Sequence, residues 1–345
     1  MITLKAEVFE NLDGTPAGLR RALQCAIELE HSTIPPYLYA LYSLRQNAND
    51  EIAGLIKSVV VQEMLHMSIA CNILNSINGT PKIGDSHFVP KYPGHLPGGV
   101  EGSLVVGLEP FSKQVVRETF MVIEEPEDPL HFPVLELAAA IKPHTTIGQF
   151  YEGIMKQIRN LGNGIFTGDP KKQLTTGFSA LRTMHIHDVE SACEAVKLII
   201  SQGEGTTTSP LAPGHELAHY YRFAEIYYGK KLIPNPDTSP GKPDYVYGGH
   251  TIDFNPADVW PVLANPNSNS YEPDSKAFKL NQSFNQTYTK LLMTLQRTFS
   301  GEPDRLGPAI TLMESMQEQA LVLMSTDVVP GQTAGPTFEF NSDNG

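Results

Sequence analysis

Glu63 and His66 stand three residues apart in Val59-Val60-Val61-Gln62-Glu63-Met64-Leu65-His66-Met67-Ser68-Ile69-Ala70, a stretch that is otherwise almost wholly apolar. No other feature of the chain restricts its fold so tightly. On a helix, residues i and i+3 share one face, one turn apart. An apolar helix buries that face, and a buried carboxylate is costly unless it is paired or bound to a metal. Glu216-Leu217-Ala218-His219 repeats the spacing. In each Glu-x-x-His the carboxylate can bridge two metals while the imidazole caps one. Two such pairs, with one Glu from each of two further helices, make the dinuclear carboxylate site of a four-helix bundle. A single Glu-x-x-His occurs by chance on many helices, so the apolar context and the second copy carry the reading.

The rest of the chain is read against that requirement. Residues 17–45 have Leu19, Leu23, Ile27, Ile34 and Leu38 at helical spacings, with Pro35-Pro36 expected to kink the helix. Residues 51–77 form a second long helix, stopped by Asn78-Gly79-Thr80-Pro81. A short turn near residue 48 joins the two as an antiparallel hairpin, which brings Glu30 level with Glu63 and His66. Residues 79–111 are rich in Pro, Gly and His and read as a long irregular crossover. Shorter helices are expected at 112–123, 146–161, 187–202 and 215–228, with Glu124-Glu125-Pro126-Glu127-Asp128-Pro129 as an acidic loop. Residues 230–273 read as ordered coil, and 274–299 and 306–325 as two extra C-terminal helices. The expected division is a metal-binding bundle over 1–230 and a C-terminal extension over 231–345 that packs on it.

The fourth carboxylate has two candidates. Glu204 lies a few residues before a loop near 209, with Glu216 and His219 a similar distance after it. Glu152 is mid-helix, as a ligand should be, whereas Glu204 sits between two glycines at a helix end. The ligand set is therefore Glu30, Glu63, His66, Glu216, His219 and either Glu204 or Glu152. His31 is either a donor to a ligand carboxylate or an ordinary histidine. Tyr37, two turns from Glu30, either bonds a ligand or packs in the bundle. Arg222, one turn after His219, pairs with a carboxylate or holds a substrate acid. Carboxylate and imidazole ligands suit iron or manganese and also accept zinc.

Composition narrows the function. The formal net charge is −13 and no Lys/Arg cluster exceeds two residues, which disfavours nucleic-acid binding. No run of 18 apolar residues reads as a membrane span. Three scattered cysteines and a charged N-terminus fit a reducing cytoplasm. No P-loop, dinucleotide-binding or Ser-His-Asp pattern is present.

Glu30 followed by Tyr37, and Glu63-x-x-His66 followed by Asn78-Gly79, resemble ferritins and rubrerythrins. More closely, Glu30-His31-Ser32-Thr33-Ile34-Pro35-Pro36-Tyr37-Leu38, Gln202-Gly203-Glu204-Gly205 and His219-Tyr220-Tyr221-Arg222-Phe223 resemble the ferritin-like domain of the iminophenyl-pyruvate dimer synthase family. That family oxidatively couples tryptophan-derived imines in violacein and rebeccamycin biosynthesis. The resemblance spans about residues 15–230, and this chain is much shorter than those enzymes. It implies an all-α, ferritin-like fold with two iron ions, and an oxidoreductase acting with dioxygen on a small, amino-acid-derived substrate. The segments 79–111 and 230–273 would cover the site mouth. The alternatives are an iron-storage protein, which needs a large cage where an enzyme needs a monomer or small homo-oligomer, and a metal-free scaffold.

Overall fold

A computed structural model describes residues 10–98, 104–126, 130, 146–175, 183–206, 208–240 and 242–341. Helix α1, Pro16–Ser43, starts on Thr15, whose side chain accepts the Gly18 N–H. It continues through Pro35 and Pro36. Pro36 has no N–H to give the Ser32 carbonyl one turn earlier, and the Tyr92 hydroxyl donates to that carbonyl instead, at 2.6 Å. The crossover is thereby tied to the helix where the helix lacks a bond of its own.

Helix α2, Asp50–Ser76, returns antiparallel to α1. Arg20 Nε donates to Ile77 O at 3.0 Å near one end, and Thr33 Oγ1 donates to Glu63 Oε2 at 3.2 Å further along. Alone among the described helices, α2 is long and apolar enough to cross a membrane, with a mean hydropathy of 1.3. Its surroundings explain that composition, because most of its length is buried inside the protein. Asn78, at φ 56°, ends the run.

Lys113–Val115, a π-helical Val116–Phe120 and Met121–Ile123 join end to end as α3. Helices α4, Ile147–Leu161, and α5, Val189–Gly203, each begin with a capping box, from Thr146 with Gln149 and from Asp188 with Ser191. Helix α6 covers only His219–Tyr228. The expected start near 215 fails because Pro213-Gly214 turns the chain and His215 takes φ 65°. Leu211 and Leu217 bridge across that turn instead. Helices α4 and α5 pack on each other and on the α1–α2 hairpin, as do α3 and α6.

The segment read as coil contains an antiparallel pair, β1, Lys230–Pro234, and β2, Tyr245–Thr251. Alternating Tyr245, Val246 and Tyr247 carried that signal, masked by the surrounding Pro and Gly. Buried Glu225 of α6 anchors β1 by accepting from Lys231 Nζ at 2.7 Å and the Leu232 N–H at 2.9 Å. Helices α7, Lys276–Phe299, and α8, Leu306–Met324, pack on each other and against α1 and α2. A short pair follows, β3, Asp327–Val329, and β4, Gln332–Thr333. One hydrophobic core runs from Leu19 and Ile27 through Ile69 to Phe299, Met316 and Phe338, so the bundle and the C-terminal layer share an interior.

Fully buried Asn72 holds a loop to that interior. Its Nδ2 donates to Leu174 O (2.8 Å) and Met184 O (3.0 Å), and its Oδ1 accepts the Leu174 N–H (2.8 Å). Asn72→Ala leaves the buried Leu174 N–H unpaired, while Leu174 O keeps the Thr183 hydroxyl, and is expected to cost about 2 kcal/mol, read from the urea midpoint.

Candidate metal centre

Glu30 comes from the middle of α1, and Glu63 and His66 come from one turn of α2. Glu124 caps the end of α3, Glu204 caps the end of α5, and His219 is the first residue of α6. Glu30, Glu63, His66, Glu124 and His219 are all buried, none exposing more than 7% of its surface. Glu63, His66 and His219 each offer a ligand atom within 4.8 Å of the others. The two imidazoles stack with centroids 5.3 Å apart. Glu30, Glu63, His66, Glu124 and Glu204 line a cavity of about 40 Å³, a few times the ~10–15 Å³ that one water needs.

The hydrogen bonds fix how the histidines face. Gln62 Nε2 donates to Glu216 Oε2 at 2.8 Å, which orients that amide. Gln62 Oε1 must then accept from His219 Nε2, 3.0 Å away. The bare Nδ1 of His219 is left facing carboxylates, 2.8 Å from Glu63 Oε1 and 3.4 Å from Glu124 Oε2. Despite that closeness it makes no hydrogen bond of acceptable angle. His66 repeats the pattern, with Nε2 2.9 Å from Gln202 Oε1 and Nδ1 3.6 Å from Glu30 Oε2. A lone pair that faces carboxylate oxygens at this distance needs a proton or a metal cation between them. Among the described residues no Lys or Arg forms an ion pair with Glu30, Glu63 or Glu124. The donor set therefore fits metal ions.

The protonation of the site follows from burial. Burial pushes the Glu63 carboxyl well up, helped by the Glu124 and Glu30 charges. Burial likewise lifts Glu204 to about 8, against the Gly148 N–H that donates to its Oε1 at 2.8 Å. For Glu30 burial pulls upward, and donors to its oxygens, Tyr151 among them, hold the carboxyl low. Tyr151 donates to Glu30 Oε1, and Tyr37 donates to Glu124 Oε1 at 2.6 Å. A Cβ on Gly148 would meet the Glu204 carboxylate and force it to move.

Several residues expected at the site lie elsewhere. Glu152 is exposed on α4, its side chain directed away from the cavity that Tyr151 lines. Glu216 lies outside the helix with its side chain 56% exposed, because the turn at Pro213-Gly214 carries it out of register with His219. It holds Gln62 and pairs with Arg222 at 3.3 Å. Arg222 also donates to Leu217 O and Ser58 Oγ and does not touch the cluster. His31 turns toward α7, where it bonds Tyr288. Neither 79–111 nor 230–273 lines the cavity among the described residues. Tyr37 does contact a cluster carboxylate.

Sequence reasoning missed Glu124, Tyr151, Gln62 and Gln202. Glu124 was legible in principle, since Val116, Phe120 and Glu124 recur every four residues on one helix face. The acidic run around it disguised that spacing. Glu152→Ala is expected to leave metal stoichiometry and affinity unchanged. Glu216→Ala should keep the stoichiometry and weaken affinity by about 10-fold through loss of the Gln62 orientation. Metal competition titration measures both.

The ferritin-like family profile matches residues 23–228, and the chain belongs to the ferritin-like family. The crystal structure of a ferritin-like protein from Caulobacter vibrioides at 1.95 Å resolution is similar to this fold, with a TM-score of 0.58. Identity is 22%, over 92% of this chain and 97% of that one. The likeness is one of fold, and its extent takes in much of the C-terminal layer. No curated protein matches the chain.

Proposed function

We propose that the protein is a di-metal, di-iron oxidoreductase that acts with dioxygen on a small organic substrate. The observation that carries the reading is His219 Nδ1, buried and without a hydrogen bond between the Glu63 and Glu124 carboxylates. In this reading α1 and α2 are two helices of a four-helix bundle, and the broken pairs α3/α4 and α5/α6 take the places of the other two. Glu30, Glu63, His66, Glu124 and His219 hold the ions, with Glu204 as the further carboxylate. The four carboxylates balance two divalent cations in charge. Manganese or zinc would occupy the same donors.

Bound iron would supply electrons to dioxygen, and the protein's own groups set the conditions. Tyr151 and Tyr37 each hold one carboxylate oxygen, which leaves the other oxygen of each carboxylate free to bind an ion. Gln62 and Gln202 keep each imidazole in the tautomer that presents Nδ1. The buried, mostly apolar walls exclude bulk water. A larger groove of about 720 Å³ shares Gly148, Ile200 and Glu204 with the inner cavity. It offers a small molecule an approach with Glu204 at the boundary. The resemblance to the dimer synthases supports an amino-acid-derived, aromatic substrate.

Anaerobic ferrous titration followed by dioxygen tests the proposal. About two irons per chain, then rapid dioxygen uptake with a new near-ultraviolet absorption, is the expected result. Iron that binds without consuming dioxygen would remove the oxidative part of the reading.

A further inference from the structure

One residue along α1 from Glu30, His31 turns away from the carboxylates and lines a second cavity of about 70 Å³. Met64 and Met67 of α2, Tyr288 and Leu292 of α7 and Met316 of α8 complete much of its wall. The lining is otherwise almost entirely hydrocarbon and thioether. Of its three polar side chains, His31, Tyr42 and Tyr288, two bond each other, Tyr288 OH lying 2.8 Å from His31 Nε2. His31 Nδ1, fully buried, has no partner.

Those facts decide what the space can hold. A buried water needs two to four polar partners. Eleven of the fourteen residues that line this cavity are apolar, so the space favours an apolar guest over water. An apolar cavity of ~150 Å³ takes benzene or xenon. One of about 70 Å³ is too small for an aromatic ring and large enough for a single small apolar molecule. It also lies directly behind the carboxylate cluster, since His31 follows Glu30 and Met64 follows Glu63 in the chain.

We propose that the cavity enclosed by α1, α2, α7 and α8 holds dioxygen immediately behind the metal centre. The C-terminal helices then have a function beyond covering the bundle, because they form the outer wall of an oxygen compartment. Naming dioxygen as the guest rests on the proposed function; the apolar character of the space does not.

Xenon is the probe. The metal-free protein, titrated by ¹²⁹Xe NMR and examined in xenon-pressurised crystals, should hold one xenon atom against Leu292 and Met316. Leu292→Trp should abolish that binding, and Leu292→Ala should raise xenon occupancy. Leu292→Trp, loaded with iron, should keep wild-type metal stoichiometry and need several-fold more dioxygen for half-maximal rate, with the rate at saturation unchanged. If Leu292→Trp does not fold, wild-type protein and Leu292→Ala decide the matter by xenon alone. Absence of xenon from the cavity overturns the proposal and leaves the metal reading intact. An unchanged dioxygen requirement in the filled variant overturns it as well. Xenon bound in a protein that takes up no iron overturns the proposed function instead.

Discussion

Replacing both imidazoles, His66→Ala with His219→Ala, is expected to lower iron affinity by at least ~100-fold while the protein stays folded. Each ring contributes a neutral nitrogen at a position where every other donor is an oxygen. Without the rings the carboxylates still attract cations, but nothing fixes where the ions sit. Loss of outer hydrogen-bonding partners alone costs ~10–100-fold in such sites, so loss of two ligands cannot cost less. The variant also removes two buried lone pairs that face carboxylates. It leaves Gln62 Oε1 and Gln202 Oε1 without donors and empties two ring-sized volumes as well, so the metal-free variant should be less stable than metal-free wild type. Iron counting after gel filtration, with circular dichroism as a folding control, reads both effects. Retention of about two irons by the double variant would falsify the assignment of these rings as ligands.

The second large effect is a pH-dependent stability that appears only without metal. Glu63 and Glu204 have folded-state pKa values raised above 4.5, Glu204 to about 8. A carboxyl raised on folding binds its proton more tightly in the native state. Its contribution is fully present below pH 4.5 and is lost as pH climbs toward the folded value. The Glu204 window therefore runs from about 4.5 to about 8. Metal-free protein should lose several degrees of Tm between pH 5.5 and 8. Metal displaces those protons, so loaded protein should show a flatter profile and a higher Tm, most visibly at the alkaline end. Glu204→Gln should remove part of the slope from the metal-free protein. A metal-free Tm that rises across this range would contradict the account.

Periodicity and metal-ligand spacing reached a good part of this architecture. The α1–α2 hairpin was legible because both helices carry long apolar stripes and a short polar turn joins them. Glu63 and His66 were legible because helical spacing puts them on one face, and Glu30 because the hairpin register brings it level with them; His219 was reached only through its spacing to Glu216. Glu216 misled because its spacing to His219 is helical while Pro213-Gly214 prevents the helix from reaching back to it. Glu152 misled because position along a helix says nothing about which side faces inward. The tertiary fold decides that, and it buries Tyr151 instead. Gln62 and Gln202 were invisible for a different reason. Neutral amides carry no signature in sequence, and their role depends on a hydrogen-bond direction set by groups far away in the chain.

The interior shared by α1, α2, α7 and α8 has a bearing on how the protein comes apart. His31 meets Tyr288, Asn75 Nδ2 donates to Phe299 O, and Gln296 reaches back to Pro81 O. Residues more than two hundred positions apart thus complete the same layer. Melting should proceed as one cooperative event rather than in two stages. Amide protons in α7 should exchange with solvent at rates close to those in α2.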